Sequence, residues 1–118
     1  MTGARYAIAA MLMLSTPFSS AFAHTALKSS NPASGSVLTQ SPPTLVLNFI
    51  EPSRLTSLVV VTATGERRLP FGPTGSGVTF TAQKPGFVRG RNEIRWRALS
   101  RDGHVIEGSI IVVLHAPA

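Results

Sequence analysis

The sequence predicts an all-β domain, an antiparallel β-sandwich or barrel, that follows a secretory signal peptide. Three observations lead to this prediction. Short apolar stretches alternate with polar residues at a period of two, and turns rich in Gly and Pro separate them. No stretch after the first twenty residues has the period of an amphipathic helix. The chain opens with a basic residue, an apolar run and a small-residue motif.

The opening segment has the three parts of a secretory signal. Arg5 supplies the positive charge, residues 7–14 (AIAAMLML) the apolar run, and residues 21–23 (AFA) the small-x-small cleavage motif. The apolar run is shorter than the ~20 residues of a membrane-spanning helix, and Pro17 follows it. A retained membrane anchor is therefore the weaker alternative.

These features predict cleavage after Ala23 and export to the periplasm. Residues 1–23 would then be the signal peptide, and residues 24–118 a single domain with no membrane span. His24 would become the first residue of the working protein.

The first predicted strands lie in the middle of the chain. Residues 45–50 alternate between two faces, and the Glu51-Pro52 pair is expected to end that strand. Residues 58–62 (LVVVT) are β-branched and short, which is typical of a buried strand. Residues 64–66 then read as a hairpin turn.

The second half of the chain continues the same pattern. Residues 72–77 (GPTGSG) have the composition of a loop, residues 78–81 alternate again, and residues 84–86 (KPG) form a turn. Residues 101–104 (RDGH) predict another turn. A last strand is expected within residues 106–114, with Ile110, Val112 and Leu114 on one face, and residues 115–118 are expected to fray.

A basic strand lies between the last two turns. Ile94, Trp96 and Ala98 are expected to face the core, with Arg95 and Arg97 on the opposite face. The whole chain has a formal net charge of +6, which alone could indicate nucleic acid. Because the arginines alternate along a strand, without stacking aromatic residues on their face, a solvated outer face explains them better and nucleic acid is discounted.

Composition restricts the chemistry of any site. The chain has no Cys, and its Met residues and only Tyr all precede Ala23. The predicted mature domain therefore has no thiolate, thioether or phenol. It contains no disulfide bond and no sulfur ligand for a metal.

Three residues could bind a metal together. A chain that begins at His24 can chelate through its α-amine and its imidazole. Asp102 and His104 are two residues apart, a spacing that lets both side chains point the same way. Three nitrogens and one carboxylate oxygen suit tetragonal Cu(II), whereas Zn(II) accepts the same donors but prefers a tetrahedron. By itself, however, Asp-x-His is most often a turn Asp beside a surface His.

Four segments resemble the CopC family of periplasmic copper-binding proteins. They are His24 itself, residues 27–32 (LKSSNP), residues 47–52 (LNFIEP) and residues 94–109 (IRWRALSRDGHVIEGS). The last segment is similar to a family pattern with Trp-Arg, then Ser-x-Asp-x-His, then Gly. The resemblance covers nearly all of residues 24–118.

The resemblance implies a Greek-key β-sandwich of the immunoglobulin-like or cupredoxin-like type. It also implies one Cu(II) per chain, bound by His24, Asp102 and His104, with Glu51 close enough to hydrogen-bond a ligand. The implied role is copper homeostasis or resistance in the periplasm, without enzymatic activity. The implied partner is a CopD-like inner-membrane protein.

The sequence departs from the family pattern at three positions. Val105 stands where Pro is usual, Asn92 replaces a frequent aromatic residue, and Ile50 replaces a frequent Ser. None of these removes a ligand. Some family members bind Cu(I) at a second site rich in Met, and because no Met follows residue 13 we expect no such site here.

Two other functions remain open. One is a metal-free β-sandwich that serves as an interaction module. The other, less favoured, is a copper monooxygenase with a histidine brace. The short chain, the absence of Tyr from residues 24–118 and a carboxylate in the ligand set all argue against the enzyme.

Overall fold

The computed structural model describes residues 26–115, which contain seven strands. They are β1 (Leu27–Asn31), β2 (Ser36–Leu38), β3 (Thr44–Thr62), β4 (Gly65–Arg68), β5 (Ser76–Gln83), β6 (Gly90–Leu99) and β7 (Val105–Leu114). No helix in this part of the chain is long and apolar enough to cross a membrane. The predicted signal peptide and His24 lie outside the described residues.

The long strand β3 belongs to both layers of the molecule. Its residues 44–48 pair with β5, and residues 46–49 pair with β1. Further along, residues 54–61 pair with β6, and residues 59–62 pair with β4. The strand order is β1-β3-β6-β7-β2, and β4 and β5 each pair with β3 beside this path. All seven strands thus belong to one curled sheet that folds over itself around a common core. The predicted all-β sandwich is confirmed.

The continuity of β3 corrects one prediction. Glu51-Pro52 was expected to end a strand, yet both residues lie inside β3. The pairing of β3 with β5 shifts register between Asn48 and Ser53, which marks an irregularity around Pro52. Proline lacks an amide N–H and is tolerated at such bulges. Beyond it, β3 pairs with β6 from Arg54 to Val61, and its last residue, Thr62, pairs with Gly65 of β4.

Alternation along β6 positions the core as predicted. Ile94, Trp96 and Ala98 are buried, whereas Arg95 and Arg97 are exposed. The Trp96 ring contacts Phe49 of β3 edge to face, with centroids 5.2 Å apart. Side chains from β3, β5, β6 and β7 complete one hydrophobic cluster.

Asn92 is a polar residue within this core. It is fully buried, and its side-chain oxygen accepts a hydrogen bond from the Val88 N–H at 2.9 Å. Its amide nitrogen donates to the carbonyl oxygens of Val88, Gly90 and Val112 at 2.9, 3.1 and 3.2 Å. Every polar atom of this side chain is therefore paired, which explains how Asn fits where an aromatic residue is frequent.

The edge strand β2 was not predicted. It pairs with β7 in parallel, Ser36 opposite Val112, while the other strand pairs of the described residues are antiparallel. Three residues are too few for alternation to reveal a strand. The His115 N–H donates to the Leu38 carbonyl at 2.7 Å, so the expected fraying does not begin at His115.

Candidate metal centre

The loop between β6 and β7 brings two predicted ligands together. Leu99 pairs with Val105, so residues 100–104 form a five-residue connection. The Ser100 N–H donates to the His104 carbonyl at 2.8 Å, and the Gly103 N–H donates to the Ser100 carbonyl at 3.0 Å. Gly103 has a φ of +87°, a left-handed conformation that favours glycine between the two ligands.

Asp102 and His104 are in direct contact at the tip of this loop. Nδ1 of His104 lies 3.0 Å from Oδ2 of Asp102. The His104 side chain is 79% exposed and the Asp102 side chain 70%, so both are open to solvent. The prediction that this spacing lets both side chains point the same way is confirmed.

Ser100 connects both residues through its hydroxyl group. Its Oγ donates a hydrogen bond to Oδ1 of Asp102 and accepts one from the His104 N–H at 3.1 Å. Sequence reasoning did not assign this residue a role. The available signal was a Ser two residues before an Asp, because such side chains commonly hydrogen-bond nearby groups in turns.

These contacts also affect the ionisation of Asp102. The hydrogen bond from Ser100 is the main reason that the pKa of the Asp102 carboxyl lies below its usual value, and the charge of His104 acts in the same direction. Slight desolvation opposes this shift without reversing it. These contacts therefore favour the anionic form of Asp102.

Glu51 lies at the same end of the sandwich. It is an exposed residue of β3 and lines a pocket of about 190 Å³ together with Ala26, Ser100 and Ile106. Ala26 also packs against the hydrophobic core just before β1. The chain therefore enters the described structure beside Glu51 and the serine that holds the loop.

His115 lies at the other end of β7. This ten-residue strand separates it from His104 by roughly 33 Å, at about 3.3 Å of rise per residue. His115 is thus not part of the same cluster. Residues 26–115 contain no group of three or more His, Cys, Asp or Glu side chains placed to bind a metal.

The donors in the loop fit half of a copper site. An imidazole nitrogen and a carboxylate oxygen can each donate a lone pair to a metal, and Nδ1 of His104 and Oδ2 of Asp102 lie 3.0 Å apart. One imidazole nitrogen and one carboxylate oxygen are borderline and hard donors that suit Cu(II) or Zn(II). The predicted ligand His24 lies outside the described residues.

A family model matches most of the chain. The CopC domain model matches residues 27–111, which include β1 to β6, the loop with Asp102 and His104, and most of β7. A search of curated proteins found no significant match to this sequence.

Solved structures share the fold. CopC from Methylosinus trichosporium OB3b superposes with a TM-score of 0.63 at 20% identity, covering 78% of this chain and 94% of that one. Two structures of PcoC, a copper resistance protein from Escherichia coli, each give a TM-score of 0.54 at 24% identity and cover 75% of this chain. They are covered over 97% and 95% of their own lengths.

Proposed function

The chain belongs to the CopC family, and from this premise we propose that it binds one Cu(II) ion through His24, Asp102 and His104 in the periplasm. The family consists of periplasmic copper-resistance proteins that bind copper and are not enzymes. The expectation that this chain is not an enzyme is confirmed by that assignment. The oxidation state, the stoichiometry and the ligands are the proposal.

The contact between Asp102 and His104 is the observation that carries the proposal. Two metal-binding side chains lie 3.0 Å apart on an exposed loop. Ser100, which anchors this loop, lines a pocket with Ala26. His24 is two residues before Ala26, a span of at most about 7 Å along the chain. The amine and imidazole of a chain that begins at His24 are therefore within reach of this end of the sandwich.

The donor types favour Cu(II) over Cu(I). Nitrogen and carboxylate ligands suit the divalent ion, whereas Cu(I) prefers thioether or thiolate sulfur. One of the PcoC structures is described as methionine-rich, but this chain has no Met after residue 13 and no Cys. A second site for Cu(I) is accordingly not proposed.

The proposed role is to sequester Cu(II) and to pass it to an acceptor. An exposed site allows another molecule to approach the bound ion directly. The acceptor we propose is a CopD-like protein of the inner membrane. Glu51 is proposed to accept a hydrogen bond from a copper ligand, because it lines the pocket next to Ser100.

Mass spectrometry of the exported protein, with and without Cu(II), tests this proposal. The full-length gene is expressed and the protein is recovered from the periplasm. We expect a mature mass that begins at His24 and gains one copper ion under native conditions. The His104→Ala variant, treated identically, is the control for adventitious copper.

Three outcomes would contradict the proposal. A different N-terminus would remove the chelating amine. Binding equal to that of the control would favour the metal-free interaction module. Sustained oxidation of chitin or cellulose by the copper-loaded protein would favour the monooxygenase.

A further inference from the structure

We propose that Ser100 is a positioning residue that fixes how Asp102 and His104 are presented to copper. This inference rests on the proposed function. It concerns a residue that does not touch the ion but holds both loop ligands through one hydroxyl group.

The hydroxyl of Ser100 has two different partners. It donates to Oδ1 of Asp102 and accepts from the backbone N–H of His104. Ser100 itself is half-buried at the end of β6, whereas both ligands are exposed. The most buried member of the set therefore contacts the two most exposed members.

This arrangement restricts the Asp102 carboxylate. Oδ1 is bound to the hydroxyl, and Oδ2 faces Nδ1 of His104 at 3.0 Å. The carboxylate cannot rotate without breaking one of these contacts. It is thus prepared to offer a single oxygen, Oδ2, on the side where the imidazole lies.

The imidazole of His104 is oriented by the same chain of contacts. Ser100 holds both the Asp102 carboxylate and the backbone N–H of His104, so it fixes Oδ2 of Asp102 beside Nδ1 of His104. Loss of the hydroxyl should therefore disturb both ligands together, although neither is removed.

The expected effect is larger than that of an ordinary surface substitution. Removing a hydrogen-bond partner of a metal ligand typically costs about 10- to 100-fold in affinity. Ser100→Ala should fold, because the two backbone hydrogen bonds of residue 100 do not involve its side chain. Ser100→Thr keeps a hydroxyl group and should restore affinity to within about threefold of the wild type.

The experiment compares Cu(II) affinity and electron paramagnetic resonance spectra across five variants: Ser100→Ala, Ser100→Thr, Ser109→Ala, Asp102→Asn and the double variant that combines Ser100→Ala with Asp102→Asn. Ser100→Ala should weaken binding by about tenfold or more and alter the spectrum. Ser109→Ala, on an exposed part of β7, is the matched control and should change neither. In the Asp102→Asn background, Ser100→Ala should have a smaller effect, because the two residues act through one hydrogen bond.

A metal-free measurement separates this inference from the proposed function. NMR of the metal-free protein should show changed chemical shifts of the Asp102 carboxylate and the His104 backbone amide in Ser100→Ala, because both groups lose their hydrogen bond to the hydroxyl. His115 provides an internal reference. If the wild type binds no copper but His104 changes as expected, the proposed function fails and the positioning role stands. Wild-type affinity, wild-type spectrum and unchanged chemical shifts in Ser100→Ala would overturn the inference.

Discussion

The His104 imidazole and the Asp102 carboxylate are held 3.0 Å apart by a loop in which both are open to solvent. Exposed ion pairs usually contribute little to stability. The hydrogen bonds of this loop nevertheless hold the pair in place, as the proposed copper site requires. The first predictions concern these two residues.

Replacing His104 tests the central ligand of the loop. His104→Ala should weaken Cu(II) binding by at least about 100-fold, because loss of a ligand should cost no less than loss of a ligand's hydrogen-bond partner. Competition with a chelator of known affinity measures this effect. His115→Ala is the control and should leave affinity unchanged, because His115 lies at the far end of β7. Equal loss in both variants would indicate unspecific imidazole binding.

Replacing Asp102 should have a smaller effect. Asp102→Asn keeps an oxygen and the shape of the side chain but loses the negative charge. We expect Cu(II) affinity to fall by about tenfold, which is the smaller end of the loss that follows mutation of a hydrogen-bond partner of a metal ligand. The visible absorption band should also shift, because the ligand field changes. An unchanged band would mean that Asp102 does not bind the ion.

The position of the first amine is tested by a one-residue extension. Insertion of Gly between Ala23 and His24 should weaken Cu(II) binding as much as His24→Ala does, by more than about tenfold. The extension keeps the imidazole but moves the amine out of the chelate ring. Calorimetric titration of proteins with verified N-termini gives the comparison. Full affinity in the extended protein would rule out the chelate.

Glu51 provides a test in the pocket that it lines together with Ser100. Glu51→Gln should reduce Cu(II) affinity by about tenfold if its carboxylate accepts a hydrogen bond from a ligand. Glu66→Gln, an exposed residue of β4, changes the charge equally and is the control. If a chelator competition shows the same small loss of Cu(II) affinity in both variants, Glu51 contributes only through its negative charge.

Asn92 tests the fold independently of the metal. Asn92→Ala should lower the free energy of unfolding by about 2–4 kcal/mol, because it leaves a cavity and unpaired backbone groups in the core. Asn48→Ala removes hydrogen bonds near the surface and should cost less than about 1 kcal/mol. Urea denaturation of both variants checks this. Equal midpoints would show that the buried network does not stabilise the core.

Much of the fold was predictable because alternation is a strong signal. The buried and exposed residues of β6 follow the predicted pattern, and the turn at residues 101–104 lies where Asp and Gly indicated it. Pro52 was misleading, because a local irregularity lets β3 continue through it. The edge strand β2 is held by pairing with β7, a tertiary contact that three residues cannot encode on their own.

The candidate site was predictable in part. The spacing of Asp102 and His104 predicted their common direction, which their contact confirms. The role of Ser100 was missed, because its hydrogen bonds depend on how the loop closes between β6 and β7. His24 stays a prediction, since it lies outside residues 26–115 and depends on where a peptidase cuts.

The exposure of the loop has a kinetic consequence. An incoming chelator could displace Asp102 or His104 one at a time while the β-strands stay in place. The rate of metal release would then rise with the concentration of the competitor instead of levelling off at the rate of a conformational opening. Such associative exchange would allow a tightly bound ion to transfer quickly on contact with its acceptor, although it escapes only slowly into water.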